Sequence, residues 1–287
     1  MSTAVASLPG RLAALVRLEH TVFALPFAYV GAFLAADGFP GWGNLLWITV
    51  AMVGARTLAM GLNRVIDAGI DAGNPRTASR ELPAGTLTRA QVWALCAVAL
   101  AVYLVAVFQL DPVVRLLWPI PVVLFVVYPY LKRVTWLCHL WLGACTGLAP
   151  LGAWIAVTGE APWEAWALCV AQGLWVAGFD LFYSLFDLDH DRAAGLHSWA
   201  TRWGERGVFA GARAFHLTAV TLLAAVGVGL SAGVLYFLGV VAVAALLLYE
   251  HTIVRPGDLR RLDAAFFTVN GVISVVFLVF VLLDTLT

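Results

Sequence analysis

Long apolar runs, separated by short polar segments, dominate the pattern of this chain. A run of roughly 20 apolar residues is long enough to cross a lipid bilayer as a helix. Glycine, proline and tryptophan within the runs favour helices over the shorter, alternating strands of a membrane barrel. The pattern predicts nine membrane-spanning helices, at 21–37, 45–66, 90–109, 113–130, 136–157, 164–186, 208–230, 233–250 and 264–284.

The composition agrees with a chain that lies mostly in a membrane. Of its 287 residues, 62% are hydrophobic and 12% are charged, and the mean hydropathy is +0.90. Soluble domains carry about twice that share of charged residues, which excludes a soluble globular protein. We predict one all-α, polytopic membrane domain over 1–287 that contacts the lipid bilayer and no nucleic acid. Within it, 1–20 is expected to form an interfacial helix before the first span.

Positive charge is concentrated on one side of the predicted spans. The N-terminus and the connections after even-numbered spans hold most of the arginines and lysines, whereas the other side has only Arg115. Cytoplasmic loops carry such an excess of Lys and Arg. The sequence therefore predicts a cytoplasmic N-terminus and an external C-terminus. This arrangement fits the inner (plasma) membrane of a bacterium or archaeon, with the functional side facing the cytoplasm.

Two ladders of polar residues stand at the predicted cytoplasmic ends of spans, each with a polar residue at i, i+4 and i+8. On a helix, that spacing stacks side chains on one face. Carboxylate oxygens are preferred ligands of Mg²⁺, which in turn holds phosphate oxygens. Solvated helix ends are the alternative interpretation, but two copies on one membrane face favour a metal site. The ladders are Asn63, Asp67 and Asp71, and Tyr183, Asp187 and Asp191.

A weak internal repeat accompanies the ladders, around 45–130 and 164–250. Each ladder leads into a long connection, 68–89 or 188–207, that contains glycine and several arginines. Loops longer than about 12 residues in a compact protein are usually functional. The repeat therefore brings the acidic residues and the basic connections to one membrane face.

Cationic residues near the ladders are candidate ligands for a diphosphate. Arginine can bind two phosphate oxygens at once, and lysine adds a compact charge. A basic cytoplasmic loop is also expected from membrane topology alone, and this alternative stays open for each residue. The candidates are Arg17, Arg76, Arg80 and Lys132, with the Tyr128 hydroxyl one helical turn before Lys132.

Two charged residues lie deeper in the predicted spans. Arg56 precedes Asn63 by seven residues, and Asp180 precedes Asp187 by seven. A buried charge is costly unless it is paired. Either Arg56 and Asp180 form a salt bridge, or Arg56 binds a substrate carboxylate and Asp180 removes a proton. Four histidines show no metal-binding spacing and are interpreted as ordinary polar residues: His139, His197, His216 and His251.

Taken together, these motifs resemble those of the UbiA superfamily of intramembrane prenyltransferases. NRVIDAGID resembles its NxxxDxxxD motif, DLDHD its second DxxxD motif, YPYLKR its YxxxK element and SRELPAG its RPLPAG stretch. The similarity covers essentially the whole chain. HTVFALPF, RTLAMGLNRVID, KRVTW and DRAAGLHS are most similar to the 4-hydroxybenzoate polyprenyltransferase branch, including its relatives of the menaquinone futalosine pathway.

The resemblance implies nine helices around a central, cytoplasm-facing cavity from which the prenyl tail leaves sideways into lipid. It implies Mg²⁺-dependent transfer from a polyprenyl diphosphate to an aromatic acid, 4-hydroxybenzoate or a related naphthoate, in ubiquinone or menaquinone biosynthesis. Diphosphate contacts carry over to Arg17, Arg76 and Lys132, and acceptor contacts to Arg56 and Asp180. Binding of Mg²⁺ with the diphosphate carries over to Asn63, Asp67, Asp71, Asp187 and Asp191.

Other functions fit parts of the pattern. A related prenyltransferase with a chlorophyll, haem or lipid-ether acceptor would use the same motifs, although the deep Arg56 favours a small aryl carboxylate. A secondary transporter would bind its substrate near the bilayer centre, whereas the ladders lie at helix ends. A quinone-binding subunit of a respiratory complex would be expected to show histidines spaced for haem.

Overall fold

The computed structural model describes residues 8–16, 24–257 and 268–287, and within these ranges the fold is helical, with no β-strand. Its α-helices are α1 (Leu8–Val16), α2 (Leu25–Ala36), α3 (Trp42–Gly73), α4 (Arg89–Val107), α5 (Pro112–Leu117), α6 (Pro119–Leu131), α7 (Cys138–Thr158), α8 (Trp163–Tyr183), α9 (Leu188–Ala193), α10 (Trp199–Gly229), α11 (Val234–Ile253) and α12 (Asn270–Leu286).

Seven helical segments in the described ranges are long and apolar enough to cross a membrane. They comprise α3, α4, α5 with α6, α7, α8 with α9, α10 and α11. Two shorter apolar helices, α2 and α12, coincide with the first and last predicted spans. The remainders of those two spans, 21–23 and 264–267, lie outside the described residues. The all-α, multi-pass architecture is confirmed, and the count of nine stays a prediction.

The helix α3 runs further than the sequence pattern suggests. The predicted loop 68–89 begins inside it, because α3 continues to Gly73. Nothing in that stretch breaks a helix before Pro75, and the residue ahead of a proline is disfavoured in helical conformation. Asn74 accordingly has φ −99° and ψ 118° and ends the helix. The extension keeps the whole first ladder on one helix.

The second predicted loop, 188–207, is wrong for most of its length. It contains α9 and the first residues of α10. The side chains of Ser198 and Thr201 each accept from the other's backbone N–H, a capping box that starts α10. Gly195, at φ 65°, makes the turn between the two helices in a conformation that favours glycine.

The core of the bundle lies along α8, which packs against α7 and α10, while α3 packs against α4. The α7–α8 contact is close because two glycines face each other. A Cβ atom added to Gly143 would overlap the backbone of Gly173. Glycine therefore lets these two backbones approach to a separation that larger side chains prevent. Polar residues of α7 and α8 lie one to two turns from this contact, toward the end of the bundle that holds the ladders. The contact therefore sets the distance between those polar residues.

Candidate active site

A polar pocket of approximately 200 Å³ lies where the ends of α3, α6 and α8 meet the start of α7. Both ladders and most of the cationic candidates contribute to its wall. The predicted site residues that line it are Asn63, Asp67, Asp71, Arg76, Arg80, Tyr128, Lys132, Asp180, Asp187 and Asp191. The structure thus brings together residues that the chain separates by more than one hundred positions.

On α3, both aspartates of the first ladder are buried and paired with cations. Asp67 is 2% exposed and lies 3.0 Å from the Lys132 ammonium and 3.1 Å from the Arg133 guanidinium. Asp71 is 4% exposed and accepts from Arg80 at 2.8 Å through each carboxylate oxygen. Pairing of this kind offsets part of the cost of burying a carboxylate.

The Asn63 amide completes this ladder. Its Nδ2 donates to Oδ2 of Asp67 at 3.2 Å, across one turn of α3. Because the amide nitrogen donates to this carboxylate, the amide oxygen is the atom of Asn63 that is left to bind a metal ion. Asn63 therefore suits the role of neutral oxygen ligand that its position in the ladder predicts.

Asp187 of the second ladder is bound from the connection that follows the first. Arg76 binds both of its carboxylate oxygens, and Asn74 donates to Oδ1 at 2.8 Å. Arg76 also donates to the Tyr183 hydroxyl at 3.1 Å. Burial lowers the pKa of the Arg76 guanidinium, but the hydrogen bonds and charge of Asp187 outweigh it and raise the pKa above its ordinary value. Arg76 is therefore a permanent cation in this pocket.

The second ladder does not lie on a regular α-helix, contrary to the sequence expectation. The chain tightens into a single 3-10 turn at Ser184–Asp187 between α8 and α9. A 3-10 turn has three residues per turn, so the i, i+4 stacking of an α-helix is lost there. Tyr183, Asp187 and Asp191 nevertheless all line the polar pocket. The pocket thus receives side chains from both sides of the turn.

A second, mostly apolar cavity of approximately 690 Å³ adjoins the polar pocket. It extends along α3 and α7 as far as the connection 159–161 at the opposite end of the bundle. Four residues line both spaces and mark the junction between them: Asn63, Tyr128, Asp180 and Tyr183. A ligand with a charged head and an apolar tail would match this arrangement.

Of the two deep charged residues, Arg56 belongs to the apolar cavity alone, whereas Asp180 also belongs to the polar pocket. Arg56 lines the apolar cavity, seven residues from Asn63 along α3. Asp180 stands at the junction, where its Oδ2 lies 2.7 Å from Nδ1 of His139. Asp180 therefore has a partner other than Arg56. Arg17, also predicted to contact a diphosphate, lies outside the described residues.

Residues of the site that local spacing does not predict include Asn74, Arg133 and His139. Asn74 contacts Asp187, 113 positions away, and no local spacing indicates such a pair. Arg133 directly follows Lys132 in the chain, and this pair of adjacent cations is the signal that could have identified it. The spacing of His139 indicates only an ordinary polar residue, yet it lines the polar pocket and contacts Asp180.

The oxygen-rich wall suits a hard divalent cation. The wall contains several carboxylate and carboxamide oxygens, and Mg²⁺ prefers oxygen ligands. Among the described residues, no three His, Cys, Asp or Glu side chains converge as a preformed metal cage. Mg²⁺ is usually held by one or two carboxylates together with substrate phosphates, so the residues present fit an ion that arrives with a phosphorylated ligand.

Comparison with known proteins assigns this chain to a family. The UbiA prenyltransferase family model matches residues 24–272. The 4-hydroxybenzoate octaprenyltransferase of Aliivibrio salmonicida is 30% identical over 245 residues, covering 85% of this chain and 86% of that protein. The 4-hydroxybenzoate octaprenyltransferase of Marinobacter nauticus is 30% identical over 272 residues, covering 94% and 92%.

Solved structures agree. A UbiA homolog from Aeropyrum pernix K1, in its apo form, superposes with a TM-score of 0.85 at 33% identity, covering 94% of this chain and 99% of that one. A UbiA homolog from Archaeoglobus fulgidus bound to DMAPP and Mg²⁺ shares the fold, with a TM-score of 0.75 at 17% identity over 94% and 97%. The chain belongs to the UbiA family and is a membrane prenyltransferase.

Proposed function

We propose that this protein transfers a polyprenyl group from a polyprenyl diphosphate to an aromatic acid, in a Mg²⁺-dependent reaction of ubiquinone or menaquinone biosynthesis. The acceptor is 4-hydroxybenzoate or a related naphthoate. One observation carries the proposal: the charged pocket opens directly into a large apolar cavity at Asn63, Tyr128, Asp180 and Tyr183. The names of the curated relatives support the choice of acceptor.

The polar pocket matches the head of the donor. A diphosphate that carries Mg²⁺ presents anionic oxygens and cations together, and the pocket wall contains both kinds of partner. Arg76, Arg80 and Lys132 offer donors to phosphate oxygens. Asp67, Asp71, Asp187 and Asp191, with the Asn63 oxygen, would hold Mg²⁺. These cations and carboxylates already form ion pairs with one another in the pocket. When the donor binds, the cations would exchange the carboxylates for phosphate oxygens, and the carboxylates would exchange the cations for Mg²⁺. Each charge then keeps a partner of opposite sign.

The apolar cavity matches the tail. Burying a prenyl chain there removes apolar surface from water, and this contributes binding free energy in proportion to area. The cavity extends from the junction to 159–161, so several isoprene units fit along the bundle. The carbon attached to the diphosphate then lies at the junction, beside Tyr128 and Tyr183.

Departure of the diphosphate breaks its bond to the prenyl carbon, and the bonding electrons remain on the diphosphate oxygen. When bound by the ladder carboxylates, Mg²⁺ would neutralise part of this charge. Arg76, Arg80 and Lys132, which carboxylates already hold at the pocket wall, stabilise the same charge by donating to the diphosphate oxygens. The allylic cation left behind lies beside the aromatic rings of Tyr128 and Tyr183 at the junction, and aromatic π electrons favour a positive charge. Apolar walls keep water away from it.

Arg56 selects and orients the acceptor. Its distance along α3 from Asn63 is seven residues, or roughly 10 Å, which leaves room for one aromatic ring system between them. A guanidinium in an apolar cavity binds a carboxylate strongly because water competes poorly there. With its carboxylate on Arg56, the acid presents an electron-rich ring carbon to the allylic cation. A C–C bond forms, and the ring proton then leaves to Asp180.

The proposal includes an orientation in the membrane. The polar pocket lies at the end of the bundle where the arginines and lysines concentrate, and such residues favour the cytoplasmic side. The site then opens to the cytoplasm, so the charged diphosphate and the carboxylate of the small acid reach it from water.

Mass spectrometry of products from the purified protein in nanodiscs tests this function. The reaction combines geranyl, farnesyl and longer prenyl diphosphates with 4-hydroxybenzoate and with 1,4-dihydroxy-2-naphthoate, in Mg²⁺ or in EDTA. We expect prenylated acid in Mg²⁺ and none in EDTA, with activity restored by added Mg²⁺. Phenol, which lacks the carboxylate, serves as the matched acceptor control and should react poorly. Product formation that persists in EDTA, or that prefers phenol, contradicts the proposal.

A further inference from the structure

His139 is a buried histidine whose described hydrogen bond goes to a residue of the active site. It is 5% exposed and lies in the first turn of α7, against the polar pocket. Its Nδ1 contacts Oδ2 of Asp180 at 2.7 Å. Its other ring nitrogen, Nε2, is buried and has no hydrogen-bond partner among the described residues. The ring is thus anchored through Nδ1, and its polar interaction is directed to Asp180.

The backbone makes this contact a rigid one. Gly143, one turn after His139 on α7, faces Gly173, two turns before Asp180 on α8. Neither position can accept a Cβ without displacing the opposite backbone. Since the helices are locked together at this crossing, the imidazole and the carboxylate are held at a fixed separation. Packing thus preorganises the pair, as a reacting group requires.

Asp180 is the carboxylate at the junction between the two cavities. It lines the apolar cavity together with Arg56, and it lines the polar pocket together with the ladders. His139 lines the polar pocket and contacts Asp180 from that side. An imidazole N–H that donates to Oδ2 fixes the rotation of the carboxylate. The second oxygen, Oδ1, is then the one that accepts a proton from the acceptor.

We propose that His139 is a positioning residue for prenyl transfer, holding Asp180 so that its carboxylate removes the ring proton of the aromatic acceptor. This inference rests on the proposed function. In the step concerned, the C–H bond at the alkylated ring carbon breaks, its electrons restore the aromatic ring, and the proton forms an O–H bond with Asp180. No oxidant or reductant takes part.

Replacement of the imidazole tests the role. His139→Leu removes the donor while keeping an apolar side chain of similar size, and His139→Ala is a second apolar variant should the first not accumulate. His139→Asn retains an N–H at the position of Nδ1. We expect the apolar variants to lower the rate of transfer by about 100-fold, the loss that small misplacement of a catalytic group produces. His139→Asn should recover most of that rate.

An isotope effect separates this role from a general loss of structure. The acceptor is 4-hydroxybenzoate with deuterium at the ring positions that are alkylated, and rates with the protonated and deuterated acids are compared. The wild-type ratio should be near unity, because a well-placed base removes the proton quickly. In His139→Leu or His139→Ala the ratio should rise markedly, while KM for the prenyl diphosphate stays unchanged.

Two results would count against the inference, and they are distinguishable. Wild-type protein that prenylates no aromatic acid overturns the proposed function, and the role of His139 with it. Wild-type protein that does prenylate the acid, with apolar variants whose isotope effect stays near unity, overturns the role of His139 alone. A slow variant without the isotope effect belongs to the second case, because damage to the fold slows both isotopic acids equally.

Discussion

Arg76 and Asp187 are 111 positions apart in the chain and bind each other across the polar pocket. Nε of Arg76 donates to Oδ1 of Asp187 at 2.8 Å, and a second guanidinium nitrogen binds Oδ2. Arg76 belongs to the connection after α3, and Asp187 belongs to the turn after α8. The two-pronged contact joins the two parts of the chain that carry the ladders, so each half orients a charged residue of the other.

The first prediction concerns Arg76. In Arg76→Ala, Asp187 loses its partner and the diphosphate loses a donor, so kcat/KM for the donor should fall by roughly 10- to 100-fold, as expected for a lost charged hydrogen bond. Arg76→Lys should be intermediate, because an ammonium keeps the charge but cannot form the two-pronged contact. Initial rates at varied prenyl diphosphate concentrations provide the measurement.

Arg89→Ala is the control for that series. Arg89 is exposed at the start of α4 on the same connection, and it does not belong to the described lining of the pocket. Its removal should leave kcat/KM within about twofold of the wild-type value, as is usual for surface substitutions. Equal losses in Arg76→Ala and Arg89→Ala would contradict a specific role for Arg76.

The ladder aspartates should be required for activity and dispensable for folding. Asp67→Asn and Asp187→Asn keep the size of the side chain and remove the negative charge that a metal ion needs. We expect loss of transfer by 100-fold or more, as for removal of a preorganised electrostatic group, with normal elution as a folded protein in detergent. Asp189→Asn is the matched control, because Asp189 is exposed and adjoins the same motif. Activity retained in either ladder variant would refute the metal assignment.

Arg56 should affect the acceptor more than the donor. Arg56→Met removes the guanidinium but keeps a long, apolar side chain in the cavity wall. KM for 4-hydroxybenzoate should rise by roughly 10- to 100-fold, because a charged hydrogen bond is lost, while KM for the prenyl diphosphate changes little. Steady-state kinetics with each substrate varied in turn would show this split. A rise in the KM of the donor alone would contradict an acceptor role for Arg56.

The glycine contact between α7 and α8 should be necessary for stability. Gly143→Ala places a methyl group against the backbone of Gly173. Overpacking of this kind costs typically about 1–3 kcal/mol, so thermal unfolding in detergent should occur at a lower temperature. Gly152→Ala on the same helix is the control, because a Cβ there meets no atom within 4 Å. Equal stability of both variants would show that the helices can separate without cost.

Much of the candidate site follows from local spacing. The Asn63, Asp67 and Asp71 ladder needs only the period of an α-helix, and α3 carries it as predicted. Arg76, Arg80, Tyr128 and Lys132 follow from motif position, and all four line the polar pocket. The helical architecture follows from apolar run length. The pairing of Asp180 did not follow, since the sequence left open whether it binds Arg56.

The amino-acid sequence by itself determined that the chain is a helical membrane protein with two acidic ladders, each followed by a basic connection. These features depend on hydrophobicity and helical period, which act over a few neighbouring residues. The tertiary structure decided the rest. His139 meets Asp180 only because Gly143 and Gly173 let α7 and α8 approach, and Arg76 meets Asp187 only because the ends of α3 and α8 converge. Contacts of this kind arise from the packing of distant helices, which no local spacing encodes.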